Sequence, residues 1–173
     1  VTDAFTAPAT PDGVAGYHFR HYRRPGQGIL SGKPTLGLSL VLISPTDRSR
    51  AQDLRDWADF IHIRHIAEVA VPGYTMITPY ENASGGDPLY MHFYEMDTDD
   101  PEPSFRKMTP LVEQLLNGGG TPMAAILESD DASRSAQFEA RAQGLTEQFR
   151  NWGFHDALQI VYVNSFARVG ASS

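Results

Sequence analysis

The chain has 173 residues, of which 41% are hydrophobic and 20% charged, and its formal net charge at pH 7 is −7. This length suits one domain with a substantial core, and the acidic balance argues against a nucleic-acid partner bound through its phosphates. The chain has no cysteine, which excludes disulfides, thiolate nucleophiles and cysteine-ligated metals. No apolar run approaches the roughly 18 residues of a membrane span, so we expect a cytoplasmic protein with no membrane partner.

Alternating and helical patterns follow one another after a Thr-, Ala- and Pro-rich start. We expect residues 1–34 to be an N-terminal extension, with a possible short strand at 17–24, and residues 35–170 to be one domain. Alternation of side chains predicts four strands in this domain, at 35–43, 74–81, 89–97 and 157–166. Apolar residues at three- and four-residue steps predict three helices, at 49–71, 99–117 and 133–152.

The core order of these elements is strand, helix, strand, strand, helix, strand, which is the split β-α-β pattern of ferredoxin-like folds. The sequence therefore predicts an α+β fold with a four-stranded antiparallel sheet. Helices would cover one face only, and an extra helix would be inserted before the last strand. The other face of the sheet must also be covered, and pairing of two sheets in a homodimer would do so.

The first predicted helix carries three titratable residues, each three positions after the last: His62, His65 and Glu68. His65 lies on the apolar stripe and could exchange a proton near neutral pH without a cofactor. The structural alternative is a core histidine that bonds a carbonyl near the helix end. All three together are a weaker candidate for a divalent metal site, because helical metal ligands more often use four-residue spacing.

The third predicted strand places Tyr90, His92 and Tyr94 on one face. Buried tyrosines need hydrogen-bond partners, so this face suits a pocket for an oxygenated aromatic ligand, or a dimer interface of stacked aromatic rings. His92 could act with His65, one as the base and the other as the acid. Depending on strand register, residues of other elements would complete the substrate-binding set, which is Tyr80, Tyr94, Tyr162, Asn164, Trp57 and Tyr90.

The run from Phe60 to Tyr74 resembles the helix-to-strand signature of the dimeric α/β-barrel proteins, and most closely their EthD-like branch. In that pattern an aromatic residue, here Phe60 or Trp57, precedes a histidine, here His65. An apolar segment follows the histidine, and then a helix stop, which is Pro72-Gly73 in this chain. The third predicted strand is also similar to the family's, which often ends in an aromatic residue, Glu, an apolar residue and Asp.

The resemblance covers residues 35–116 well and the last strand loosely, and Ala67 stands where the family often has proline. It implies a homodimeric, cofactor-independent enzyme doing acid–base chemistry on a small aromatic or polyketide-like oxygenated substrate. The reaction would be an isomerisation, cyclisation, elimination or lyase cleavage, or a cofactor-free oxygenation. Because the superfamily hosts varied chemistry, two alternatives stay open: a non-catalytic small-molecule-binding accessory protein, and a haem- or metal-dependent enzyme.

Overall fold

The structure is a computed structural model that describes residues 12, 16–22, 30–119 and 132–169, with only the backbone described for 132–139. The strands are β1 (Phe19–His21), β2 (Gly37–Pro45), β3 (Tyr74–Asn82), β4 (Tyr90–Met96) and β5 (Leu158–Ala167). The first helix, α1, runs without a break through a 3-10 turn (Arg48–Arg50), an α-helical part (Ala51–Trp57), a π turn (Ala58–His62) and a second α-helical part (Ile63–Glu68). The other helices are α2 (Pro101–Asn117) and α3 (Ala132–Gln148).

The five strands form one sheet in the order β1-β3-β4-β2-β5, and all neighbours are antiparallel. The fold is therefore α+β, as the sequence predicts. The sheet has five strands rather than four because β1 adds to the edge of β3, where Phe19 lies opposite Asn82 and His21 opposite Tyr80. Part of the predicted N-terminal extension thus belongs to the sheet.

The two faces of the sheet differ in burial. On β4, Tyr90, His92, Tyr94 and Met96 are buried beneath α1 and α2, whereas the residues between them are only half-buried on the opposite face. Period-two alternation alone produces this division. The helix-covered side therefore forms the interior, and the other side is an open sheet face.

Three helices build the interior from apolar stripes. Val112 and Phe105 of α2 pack with Ile63, Ile66 and other residues of α1 and the sheet. Helix α3 lies on α1, where Ala142 and Leu145 contact Phe60. Pro110 stands inside α2 without ending it. None of the helices in the described ranges is long and apolar enough to cross a membrane.

We expect Gly37→Ala to destabilise the protein, because a Cβ at this position of β2 would lie 2.5 Å from the Thr98 carbonyl oxygen and 3.2 Å from that of Phe166. Backbone atoms cannot move aside as side chains do, so the loss should be about 1–3 kcal/mol. Gly144→Ala is the matched control: its Cβ would meet nothing within 4 Å in α3, and removing a helical glycine should stabilise by about 1 kcal/mol. Denaturant unfolding of both variants measures the contrast, and equal effects would contradict the packing of β2 described above.

Candidate functional site

A π turn interrupts the α-helical pattern of α1. The Ile63 N–H bonds to the carbonyl of Ala58, five residues earlier. The extra residue in this turn rotates the side chains that follow it by about 100° about the helix axis, compared with a regular α-helix. Single π turns occur frequently at functional sites, and this one ends at His62, beside the connection between α3 and β5.

The His62 ring lies between two indole rings. Its centroid is 4.9 Å from that of Trp57, at an interplanar angle of 25°, and 5.6 Å from that of Trp152, at 9°. His62 Nδ1 lies 2.9 Å from the Trp152 carbonyl oxygen. Because a carbonyl only accepts hydrogen bonds, Nδ1 carries the proton of the neutral ring and Nε2 keeps its lone pair.

Two backbone carbonyls hold the connection between α3 and β5 against α1. Besides the His62 bond to Trp152, Trp57 Nε1 donates to the Asn151 carbonyl at 2.8 Å. The same connection supplies His155, whose ring lies 5.6 Å from Trp57 and 5.2 Å from Phe149. A column of five rings therefore covers this side of the molecule, with Trp57 in its middle and His62 between Trp57 and Trp152.

His92 lies in the interior, on the face of β4 that α1 covers. It is 2% exposed, and its Nε2 is buried without a hydrogen-bond partner in the described part of the chain. Its cross-strand neighbours are Val41 and Pro79, which offer no polar side-chain atom. Leaving a buried polar group unpaired costs about 1–3 kcal/mol, so this ring nitrogen lowers the stability of the fold as it stands.

Burial keeps both imidazoles neutral at physiological pH. It lowers the pKa of His62 from 6.5 to about 4, where the bond to Trp152 opposes the shift and His65 adds to it. Burial also lowers the pKa of His92 to about 3, and His62 contributes to this. A charge on His65 thus disfavours protonation of His62, and a charge on His62 disfavours protonation of His92.

His65 has the features of a core histidine that bonds a backbone carbonyl of its own helix. It is 6% exposed, and its Nδ1 lies 2.6 Å from the Ile61 carbonyl oxygen, one turn earlier. Burial lowers its pKa, the bond to Ile61 opposes this, and Arg64 lowers the pKa further. Among the described residues no hydrogen bond or ring contact joins His65 to His92.

Three of the predicted substrate-binding residues lie on the helix-covered side with His92. Tyr90 and Tyr94 flank it on β4, and Trp57 belongs to the same buried cluster as Tyr90. The Tyr90 hydroxyl donates to the Ala51 carbonyl at 3.0 Å. Burial raises the pKa of Tyr94 well above its ordinary value. Tyr94 therefore remains a neutral hydroxyl.

The other three predicted substrate-binding residues lie on the open face. Tyr80 is opposite Met91, Tyr162 opposite Leu42, and Asn164 opposite Leu40. Directly opposed residues share a face, and those partners point away from the helices. A single pocket lined by His92 together with Tyr80, Tyr162 and Asn164 is therefore incompatible with the observed register.

The histidine and glutamate row in α1 does not form a metal-binding group. His62 is engaged with Trp152, and His65 with Ile61. Across the described residues, no three His, Cys, Asp or Glu side chains are arranged so that they could hold a metal ion. The signal that could have singled out His62 is instead aromatic: Trp57 before it, and Trp152 with His155 in a segment that otherwise looks like a polar loop.

Comparison with family models, curated proteins and solved structures finds no match for this chain. The resemblance to the EthD-like branch therefore stays a prediction based on the residues quoted above.

The two neutral histidines predict an acid-sensitive fold. In the unfolded chain these histidines take up protons near the ordinary pKa of 6.5. In the folded protein the pKa of His62 is about 4 and that of His92 about 3. Their contribution is therefore fully present above pH 6.5 and is lost as the pH falls toward those values. When the pH falls from 7.5 to 5, we expect each of these histidines to lower the free energy of unfolding by on the order of 1–2 kcal/mol.

Denaturant unfolding at the two pH values measures this loss. His62→Asn and His92→Phe should each reduce the difference between pH 7.5 and pH 5, since neither replacement titrates in this range. His18→Asn, at an exposed position, is the control and should behave as the unaltered protein does. An unchanged pH dependence in both buried variants would refute the assignment of these rings as neutral in the fold.

Proposed function

We propose that this protein is a small cofactor-independent enzyme that transfers protons on an aromatic or polyketide-like oxygenated substrate, with His62 and His92 as its acid–base pair. The observation that carries the proposal is the buried Nε2 of His92, which has no hydrogen-bond partner among the described residues. A reaction such as isomerisation, cyclisation, elimination or lyase cleavage needs a base and an acid close together. His65 would then act through His62 rather than on the substrate.

The low pKa values of the pair suit a reaction that creates negative charge on the substrate. A neutral imidazole in a desolvated site is a weak base while nothing balances its positive charge. When a substrate loses a proton, the enolate or phenolate that forms lies next to the new imidazolium, and each stabilises the other. Tyr94, a neutral hydroxyl on the same face of β4, would help to orient the substrate oxygen.

Deuterium exchange tests this proposal without knowledge of the natural substrate. In D₂O, the protein should speed exchange of the acidic C–H protons of 2-tetralone, an enolisable aromatic ketone, which proton NMR follows directly. His92→Gln and His62→Asn should each lower the rate about 10²-fold, the usual contribution of an acid or base. His18→Asn should keep the rate. If 2-tetralone exchanged its protons no faster than in buffer, or if neither variant changed the rate, the proposed enzymatic activity would be refuted.

A non-catalytic binding protein of the same fold is the second candidate. The observation in its favour is that pKa values of about 4 and 3 make both histidines poor bases before any ligand is bound. Such a protein would bind aromatic ligands at the same histidines but leave the exchange rate of 2-tetralone unchanged.

The proposal includes a ferredoxin-like subunit that forms a homodimer through the open sheet face. Strands β2 to β5, with α1 and α2 between them, follow the order of that fold. The open face is rich in apolar side chains, and β5 leaves large ones exposed, including Tyr162 at 41% and Phe166 at 45%. An exposed apolar surface of this kind is typical of an interface. The opposite edge, β1, is only three residues long and carries Arg20, as protected edges do.

Replacement of one open-face residue tests the dimer. Phe166→Asp should convert the protein from dimer to monomer, because a carboxylate would be buried without a partner at the interface. Light scattering after size exclusion gives the mass. Leu116→Asp is the matched control, since Leu116 is 38% exposed on α2, away from the sheet. A monomeric parent protein, or a dimer that survives Phe166→Asp, would contradict this interface.

A further inference from the structure

Of the side chains that the five strands place on the open face, one is a carboxylate, that of Glu95 on β4. Its cross-strand neighbours are Leu38 of β2 and Met76 of β3, and it is half-buried. Its one hydrogen-bond donor among the described residues is the Thr35 hydroxyl, at 2.8 Å. Apolar neighbours reduce the hydration of a carboxylate, so a single neutral donor leaves its charge uncompensated and most of its acceptor capacity unused.

No cation of the strands shares the open face with this carboxylate. The five strands contain one arginine and no lysine, and that residue, Arg20, is opposite Glu81 on the helix-covered side. Lys33, which precedes β2, forms an ion pair with Asp97 at 2.6 Å. A second copy that paired through the open face would bring the same side chains, including a second Glu95 but no lysine or arginine from its strands. A counter-ion for this carboxylate is therefore expected to come from a ligand.

Two aromatic rings lie beside Glu95 on the same face. Phe93 is two residues earlier on β4, about 7 Å away, and its ring centroid is 5.1 Å from that of Tyr80. Burial raises the pKa of Tyr80, and the charge of Glu95 raises it further, so the field of the carboxylate reaches this ring pair. Aromatic faces attract cations within about 6 Å of the ring centroid, and the rings thus favour the same kind of ligand as the carboxylate does.

Thr78 of β3 supplies a second acceptor. It lies directly opposite Phe93, and its hydroxyl oxygen is buried without a hydrogen-bond partner among the described residues. Thr78 and Glu95 are diagonal cross-strand neighbours, about 7–8 Å apart. Two hydrogen bonds of about 2.8 Å that meet at one atom, together with the reach of the glutamate side chain, span this distance. One ammonium nitrogen can therefore donate to the hydroxyl and to the carboxylate at once.

We propose that the open face binds an organic ammonium ion whose charged nitrogen lies between Glu95 and Thr78. The apolar body of the ligand lies over Phe93 and Tyr80. The site is on the opposite face of the sheet from His92, so the inference is independent of the proposed acid–base pair. Strand β2 separates the site from the exposed side chains of β5, at which the homodimer is proposed.

Three phenylethyl compounds separate ammonium, alcohol and carboxylate on one ring. Isothermal titration calorimetry of the full chain at pH 7.5 would use 2-phenylethylamine, which is protonated at this pH, 2-phenylethanol and 3-phenylpropanoate. We expect the amine to bind at least tenfold more tightly than the alcohol, because its hydrogen bonds are charge-assisted, and the carboxylate to give no measurable heat. Equal affinity for the amine and the alcohol, preference for the carboxylate, or no binding of any of the three would overturn the inference.

Substitutions at the two polar positions assign the effect to this site. Glu95→Gln keeps the shape and can still accept the Thr35 bond, but it removes the charge, so it should lower the affinity for 2-phenylethylamine at least tenfold and leave that for 2-phenylethanol unchanged. Thr78→Val replaces the hydroxyl by a methyl group and should lower the affinity for the amine severalfold. Glu113→Gln, at an exposed position of α2, removes the same charge elsewhere and should bind as the parent protein does.

The same variants distinguish a ligand site from a contact between copies. If a folded Glu95→Gln protein kept its affinity for the amine, or if Glu113→Gln lost as much, the inference would be overturned. Light scattering after size exclusion gives the mass of each variant, and a changed mass with unchanged affinity in Glu95→Gln would assign this carboxylate to an interface instead. If Glu95→Gln does not fold, as denaturant unfolding would show, Thr78→Val decides the question, and unaltered affinity in that variant would also overturn the inference.

Discussion

The hydrogen bond between His62 and the Trp152 carbonyl is the interaction on which the site depends. It fixes the protonated nitrogen of His62, and it also holds the connection between α3 and β5 against α1. The bond from Trp57 to Asn151 reinforces the same attachment. Without these contacts the column of rings would have no reason to form, and the interior side of β4 that carries His92 would lie closer to solvent. The tautomer of His62 and its place between the two indole rings thus follow from one contact between a side chain and a distant backbone carbonyl.

The order of elements was predictable because it follows from side-chain periodicity, which is local. Buried Leu54, Trp57 and Ile61 recur at helical steps, and the alternation of Tyr90, His92 and Tyr94 is visible in the sequence. The α+β class and the helices on one face came from that pattern. The fifth strand is a matter of pairing rather than periodicity, since β1 is only three residues long and is held by its contact with β3.

The composition of the site was only partly predictable, because two local irregularities shift residues between faces. The π turn changes the phase of α1, so a regular 3.6-residue repeat does not reveal that His62 lies between Trp57 and Trp152. A bulge between Tyr74 and Met76 shifts β3 against β4, and a one-residue shift exchanges the faces of every side chain that follows. This is why Tyr74 lies with Tyr94 in the interior, while Tyr80 points to the open face. Periodicity within one strand cannot reveal such shifts.

Desolvation connects the stability of the fold to the chemistry we propose for it. The burial that keeps His62 and His92 neutral also makes them costly to protonate, so an isolated charge is excluded from this interior. A neutral ligand avoids that cost because it brings its own proton and carries no net charge. If the proton then moves to a ring nitrogen, cation and anion appear together and at close range, where low polarity strengthens their attraction.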